Sequence, residues 1–236
     1  MLDFMLDLER VLKVWPDNTK WNILQIAAQT NAHPPLVVDF LTEGLAKQVE
    51  IHDPLSFNEV SRAHAIMMER KNGEIELRRQ REQQAINKAV EALNATMEKV
   101  RIMGAAKNWR GAYKTLSYFF GVNSQRLPHV EVVQVADECL RLGTKAGINF
   151  QEMSQWFTRG LRALTMIPSQ ETITDALDFF DAYGEVFLDG APLHGDQYLT
   201  THLLALKPKA MEFDLMPRLN QVASQLGLTS VIDVVI

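Results

Sequence analysis

The sequence predicts an all-α protein, and three observations predict it. Apolar residues recur at helical spacing through most of the 236 residues, whereas strict alternation is scarce. The 12 glycines and 9 prolines are few for a β-rich chain of this length and sit mostly at the ends of the periodic segments. Ser56-Phe-Asn-Glu59 and Asn149-Phe-Gln-Glu152 each place a short polar side chain three residues before a glutamate, the capping-box signature of a helix start. An apolar share of 47% against 22% charged allows a substantial core rather than a disordered chain.

The expected organisation has three parts: a small trihelical, winged-helix-like module over 1–55, a long helical connector over 56–103, and a helical bundle over 104–236. In the first part Leu2, Phe4/Met5, Leu8, Val11/Leu12 and Trp15 follow helical spacing, and Pro16 ends that helix. A second helix is expected after Asp17-Asn18-Thr19, residues that favour N-caps, running through WNILQIAAQ. Asn31 suits a left-handed turn, and Pro34 or Pro35 suits the first turn of a third helix, LVVDFLTEGLAKQV. Val49–His52 reads as a short strand before Asp53-Pro54.

A helix is expected from Ser56, weakening at Asn72-Gly73, with a second from Glu74 to about Met103. Residues 69–84, ERKNGEIELRRQREQQ, carry nine charges and only Ile75 and Leu77 as apolar side chains, so the stretch reads as an exposed bridge. Beyond it Ile86, Val90, Leu93, Met97 and Val100 repeat at 4-3-4-3 spacing. Two heptads are too short for a free-standing coiled coil, so this seam is expected to pack against the chain's own later helices. Those follow in turn: NWRGAYKTLSYFF, ending at Gly121; a run from Pro128 through Gly143; a helix from Asn149 to near Pro168; and SQETITDALDFFDAYGEVF. A loop, Asp189–Gly195, is expected next, then two shorter helices broken at Pro208 and Pro217. Residues 230–236 fit a final helical turn or a strand. No repeat of solenoid length is present.

Placing Ala27 at the small position and Asn31 at the turn puts Ile26, Val37 and Phe40 at core positions. This resembles a helix-turn-helix or winged-helix unit over residues 19–52. The positions that would face a DNA groove hold His33, Pro34, Pro35, Val38 and Asp39, with Glu43 beyond. Base reading needs arginine, lysine, asparagine or glutamine there, and a basic surround for the phosphates. The resemblance therefore implies a docking or structural module before it implies DNA recognition.

Two charged patterns are the candidate partner-binding residues. Arg78, Arg81 and Lys88 share a helical face with Arg79 beside them, and arginine suits bidentate capture of carboxylates. Asp175, Asp178, Asp181 and Glu185 form an acidic stripe on a helix whose Leu177, Phe179, Phe180, Val186 and Phe187 are its buried side. Charge is uneven: −4 over 1–68, +4 over 69–110 and −5 over 111–236. Such an acidic–basic–acidic chain is poorly matched to nucleic acid but could meet an acidic protein surface. No aromatic residue interleaves the basic cluster, as a single-strand platform would require.

Positive signs of catalysis are missing. The six histidines show no H-E-x-x-H spacing, no Glu-x-x-His pair marks a di-iron bundle, and no phosphate-binding glycine loop or nucleophile elbow occurs. Asp189, His194 and Asp196 cluster in the expected loop but are common loop residues. Cys139, the single cysteine, lies in an apolar-periodic run and reads as a buried small hydrophobe. It cannot form an intrachain disulfide. Asp3, Asp7 and Glu9 argue against a secretory leader, and no window is apolar enough to span a bilayer. A cytoplasmic setting is expected, with no cofactor, no metal and no membrane insertion.

The reading this favours is a non-catalytic interaction subunit: an adaptor, chaperone-like or structural component of a larger multiprotein assembly, for example a bacterial secretion or transfer apparatus. The alternative is a winged-helix DNA-binding regulator with a helical sensor domain, and the third is an enzyme or small-molecule binder within the bundle.

Overall fold

A computed structural model describes residues 1–45, 54–190 and 192–228. The expected strand at Val49–His52 and the C-terminal segment 230–236 lie outside the described residues. Among these residues the fold is all-α apart from two two-residue strands: a three-helix module with a short strand pair, a long middle helix and a C-terminal helical bundle. It divides into two compact units, Met1–Gln83 and Gln84–Ile236.

In the first unit, helix α1 (Leu2–Lys13) buries Phe4, Met5, Leu8 and Val11 on one face. The second helix does not begin at the predicted cap. Asn18 adopts φ 58°, turning the chain, and Lys20–Trp21 forms strand β1, paired antiparallel with β2 (Leu55–Ser56). The turn lets Trp21 stack on Trp15, with ring centroids 4.2 Å apart, and this aromatic pairing outweighs the helical signal of the tryptophan. Asn22 is the actual cap of α2 (Ile23–Gln29): its side chain accepts from the Gln25 N–H at 2.8 Å, and the Gln25 side chain accepts from the Asn22 N–H at 2.9 Å. Asn31 takes the left-handed conformation as expected, with φ 51°, and α3 (Pro34–Gly44) follows with proline in its first turn. Ile26, Val37, Phe40 and Leu41 are fully buried in this unit's core, with Val60 and Ala63 of the next helix.

That next helix, α4, is a single 49-residue element, Phe57–Ala105. The capping box at its start is formed, since the Glu59 carboxylate accepts from the Ser56 N–H at 2.8 Å. The predicted weakening at Asn72-Gly73 does not interrupt it. One exposed glycine costs only about 1 kcal/mol relative to alanine, which is not enough to break a helix anchored on both sides. The Lys71–Glu74 pair, 3.0 Å, bridges the same turn.

In the second unit Leu93 and Val100 of α4 are buried in the core, with Ala89 beside them and Met97 and Met103 packed against it, so the second half of the seam packs against the chain's own helices as expected, while Ile86 and Val90 are only half-buried. Helix α5 (Trp109–Asn123) buries Tyr113, Leu116 and Phe120, and a 3₁₀ turn (Ser124–Arg126) follows it. Helix α6 (His129–Ala146) ends at Gly147, whose φ of 64° supplies the left-handed cap. At the start of α7 (Phe150–Thr165) Asn149 accepts from the Glu152 N–H at 2.9 Å. Helix α8 (Gln170–Gly190) sends Phe179, Phe180 and Phe187 onto Phe157 of α7, with centroids 5.0–5.3 Å apart.

Two expectations fail after α8. The predicted Asp189–Gly195 loop is not a loop, because α8 continues to Gly190 and α9 begins at Pro192. Nor does Pro208 end a helix: α9 runs unbroken to Glu212. An interior proline costs ~3 kcal/mol, but Leu203, Leu206 and Ala210 are buried on both sides of it. Two or more such side chains, at about 1.5–3 kcal/mol each for the larger, offset that cost. The chain turns instead at Asp214, φ 57°, before α10 (Met216–Gln225), which carries Pro217 in its first turn.

Candidate interaction surfaces

On α3, His33, Pro35, Val38, Asp39 and Glu43 are exposed, so the face a DNA reader would present carries proline, valine and two carboxylates. Leu24 of α2 is also 66% exposed. This surface offers little to phosphate or base edges and has some apolar character.

On α4, every residue from 69 to 84 is exposed except the half-buried Lys71. Four turns of helix therefore carry almost no packing, and local charge pairing supports them. Arg78 donates to Glu82 at 2.8 Å, a spacing of four residues. Arg79, Arg81 and Lys88 form no ion pair among the described residues, which leaves three exposed cations open to an outside acceptor.

The acidic stripe on α8 is divided. Asp178 accepts from the Arg218 guanidinium of α10 at 2.7 Å, and Asp181 accepts from the same nitrogen. These contacts hold the Arg218 pKa above its ordinary value, the hydrogen bond to Asp178 being the main cause. Two of the four carboxylates are thus engaged within the bundle. Asp175 and Glu185 are exposed and have no ion pair among the described residues.

Asp175 belongs to a different feature, one that charge counting alone does not reveal. A groove of about 770 Å³ lies among α6, α7 and the start of α8. Val130 and Val133 of α6, Leu164 of α7 and Ile167 in the turn after it line its apolar part, while Asp137, Glu171 and Asp175 stand along its sides. Val130 is 78% exposed and Ile167 70%. Burial raises the Asp175 carboxyl above the usual carboxylate range, and Glu171 and Asp178 push it the same way. The sequence did carry a signal for the groove. Val130, Val132, Val133 and Val135 are too many apolar residues for one buried helix face, and Ile167 stands just before the helix-ending Pro168.

Between α5 and α7 a polar network ties the two helices and lines a recess of about 470 Å³. The Trp156 Nε1–H donates to the Tyr113 hydroxyl at 3.0 Å, and that hydroxyl donates to Glu152 Oε2 at 3.1 Å. Arg159 lies over the Trp156 ring, 4.7 Å from its centroid. Cys139 is fully buried, and burial pushes its thiol well above the usual range, which disfavours the reactive thiolate. Asp189 lies on α8, whereas His194 and Asp196 lie on α9. Among the described residues, no three histidine, cysteine or acidic side chains gather where they could hold a metal ion. No helix among them is long and apolar enough to cross a membrane. The chain matches no protein-family model, no curated protein and no solved structure.

Proposed function

We propose that this chain is a non-catalytic protein–protein interaction subunit, an adaptor, chaperone-like or structural component of a larger multiprotein assembly. The observation that carries the reading is the 69–84 stretch of α4, helical throughout yet almost wholly exposed. Its two apolar side chains, Ile75 and Leu77, remain 37% and 48% exposed, so burial does little to hold it. A surface of this kind, with Arg79 and Arg81 forming no ion pair among the described residues, suits an acidic protein partner.

Replacing Arg78, Arg79 and Arg81 with serine tests it. The melting temperature should stay nearly unchanged, because these side chains are exposed and the one ion pair lost, Arg78–Glu82, is a surface pair contributing about 0–1 kcal/mol. Capture of partners from cells expressing the tagged full chain should weaken, most visibly at low salt. Unchanged capture would reduce the stretch to a solvated helix, and a large loss of stability would make the arginines structural ties.

The pairing of β1 with β2 beside α2 and α3 favours a second reading, a winged-helix DNA-binding regulator. Against it stands the exposed face of α3, which has acids and prolines where phosphate and base contacts belong. Electrophoretic shifts with genomic duplexes at moderate salt separate the two readings.

A further inference from the structure

We propose that the groove among α6, α7 and α8 is a docking site for a basic amphipathic helix of a partner protein. Its floor and its rim each specify part of that occupant. Val130, Val133, Leu164 and Ile167 present a continuous apolar floor, of which Val130 and Ile167 are left mostly in water. Exposed aliphatic side chains next to a recess of about 770 Å³ make a contiguous apolar patch rather than scattered surface residues. The stretch of α6 from Val130 to Asp137 covers about 10 Å, roughly two helical turns. It therefore accepts side chains at positions i, i+3 or i+4, and i+7 of a docked helix.

The walls explain why a helix fits better than an extended strand. The groove is lined by helices and by the turn over 166–169, which carries Ile167 and Ser169. No strand edge is offered to an extended peptide, which would have to desolvate its own N–H and C=O groups without partners. A helix brings its backbone already satisfied.

The rim sets the charge. Asp137, Glu171 and Asp175 flank the floor, and no lysine or arginine lines it among the described residues. One oxygen of Asp137 accepts from the Tyr183 hydroxyl at 2.6 Å, which holds that carboxylate in place on α6. Glu171 and Asp175, one turn apart on α8, have no ion pair among the described residues. A partner helix with lysine or arginine flanking its apolar stripe would neutralise all three, whereas an acidic helix would be repelled. The exposed part of this chain's own α4 is basic but a poor occupant: Ile75 and Leu77 are two residues apart and point to opposite sides of their helix. This favours a foreign helix over a second copy of the chain. The inference is independent of the α4 reading, because it uses other residues on another unit.

The test uses the full chain and two fluorescein-labelled peptides of about five helical turns. Both share one leucine stripe; one has lysine on its remaining positions and the other glutamate. Fluorescence anisotropy should show the lysine peptide binding at least about tenfold tighter, with the difference shrinking as salt rises. Methyl resonances of Val130, Val133, Leu164 and Ile167 should shift on its addition. The pair Val130→Ser/Ile167→Ser should weaken the lysine peptide about tenfold or more; both positions are exposed, so the fold should be unaffected. The pair Glu171→Lys/Asp175→Lys should abolish the preference between the peptides. A control pair, Glu185→Lys/Asp189→Lys, changes the same net charge about 15–21 Å further along α8 and should retain it. Equal binding of both peptides, loss of preference in the control, or indifference to the groove variants would overturn the proposal. A concentration-dependent dimer dissolved by Val130→Ser/Ile167→Ser would overturn it in favour of a second copy. The Arg78/Arg79/Arg81 serine variant should bind the lysine peptide as the parent does, so failure of the groove and failure of the α4 reading are told apart.

Discussion

Replacing Gly44 with alanine should destabilise the first unit, while the same replacement at Gly73 should stabilise it. Both glycines lie in helices, and alanine is the better helix former by about 1 kcal/mol at interior positions. What differs is the space around them. A Cβ built on Gly44 would stand 2.8 Å from the Ala63 Cβ, 2.8 Å from its carbonyl oxygen and 2.9 Å from its Cα. Two of those atoms are backbone of α4, so no rotamer change relieves the clash and α3 must move away from α4. The core layer between them, Phe40, Leu41 and Val60, is fully buried and would lose contact. Overpacking of this kind costs about 1–3 kcal/mol. The propensity gain at Gly44, the last residue of α3, falls below the interior value, so the net loss is about 1–2 kcal/mol. At Gly73 no atom lies within 4 Å of the added carbon, and the gain of about 0.5–1 kcal/mol stands alone. Scanning calorimetry of the full chain reads both effects. For a unit of this size each kcal/mol moves the transition by about 4–8 °C, so Gly44→Ala should lower it by roughly 4–16 °C and Gly73→Ala raise it by up to about 8 °C. A neutral or raised transition in Gly44→Ala would refute the close approach of α3 to α4.

The elements that were legible in the sequence are those in which local signals agreed with one another. Helix α3 has proline at its start, Asn31 in the preceding turn and an apolar face that meets the core, all as expected, though it ends at Gly44, inside the run expected to be helical. The Ser56 capping box and the Leu93–Val100 seam are equally local. Misreadings came where one strong local signal was overridden by packing from elsewhere. Trp21 looks helical in its own window, but its ring stacks on Trp15 and its backbone pairs with Leu55. Pro208 is a helix breaker by itself, yet buried residues on both sides hold α9 together. Of the candidate surfaces, the basic stretch was visible because charge without apolar residues is a one-dimensional pattern. The acidic stripe was only half visible, since the pairing of Asp178 and Asp181 with Arg218 spans about 40 residues of chain. The groove needs three helices to exist, and no single window contains it.

Three further outcomes follow from the bundle. Tyr113→Phe leaves the buried Trp156 N–H without its acceptor and should cost about 1–3 kcal/mol, read as a lower urea midpoint at an unchanged slope. Arg218→Ala should cost about 1 kcal/mol or less, and less at high salt, because its two carboxylate contacts are partly solvated. The last concerns His202 of α9, which lies half-buried with its ring 4.6 Å from that of Tyr198 and 6.4 Å from that of Phe157. Burial among these rings disfavours the imidazolium and lowers the pKa from its ordinary 6.5. Above pH 6.5 the ring is neutral in both the folded and the unfolded chain, and it does not affect the slope of stability with pH. As the pH falls below 6.5 the unfolded chain takes up the proton first, so stability is lost progressively down through the lower folded value. Denaturation midpoints of the full chain measured between about pH 7 and pH 5 should therefore fall, and His202→Gln should flatten part of that fall, because it removes the titrating group from both states. Parallel pH profiles for the variant and the parent would show that the ring takes its proton as readily in the fold as in water, and that the aromatic packing around it does not exclude charge.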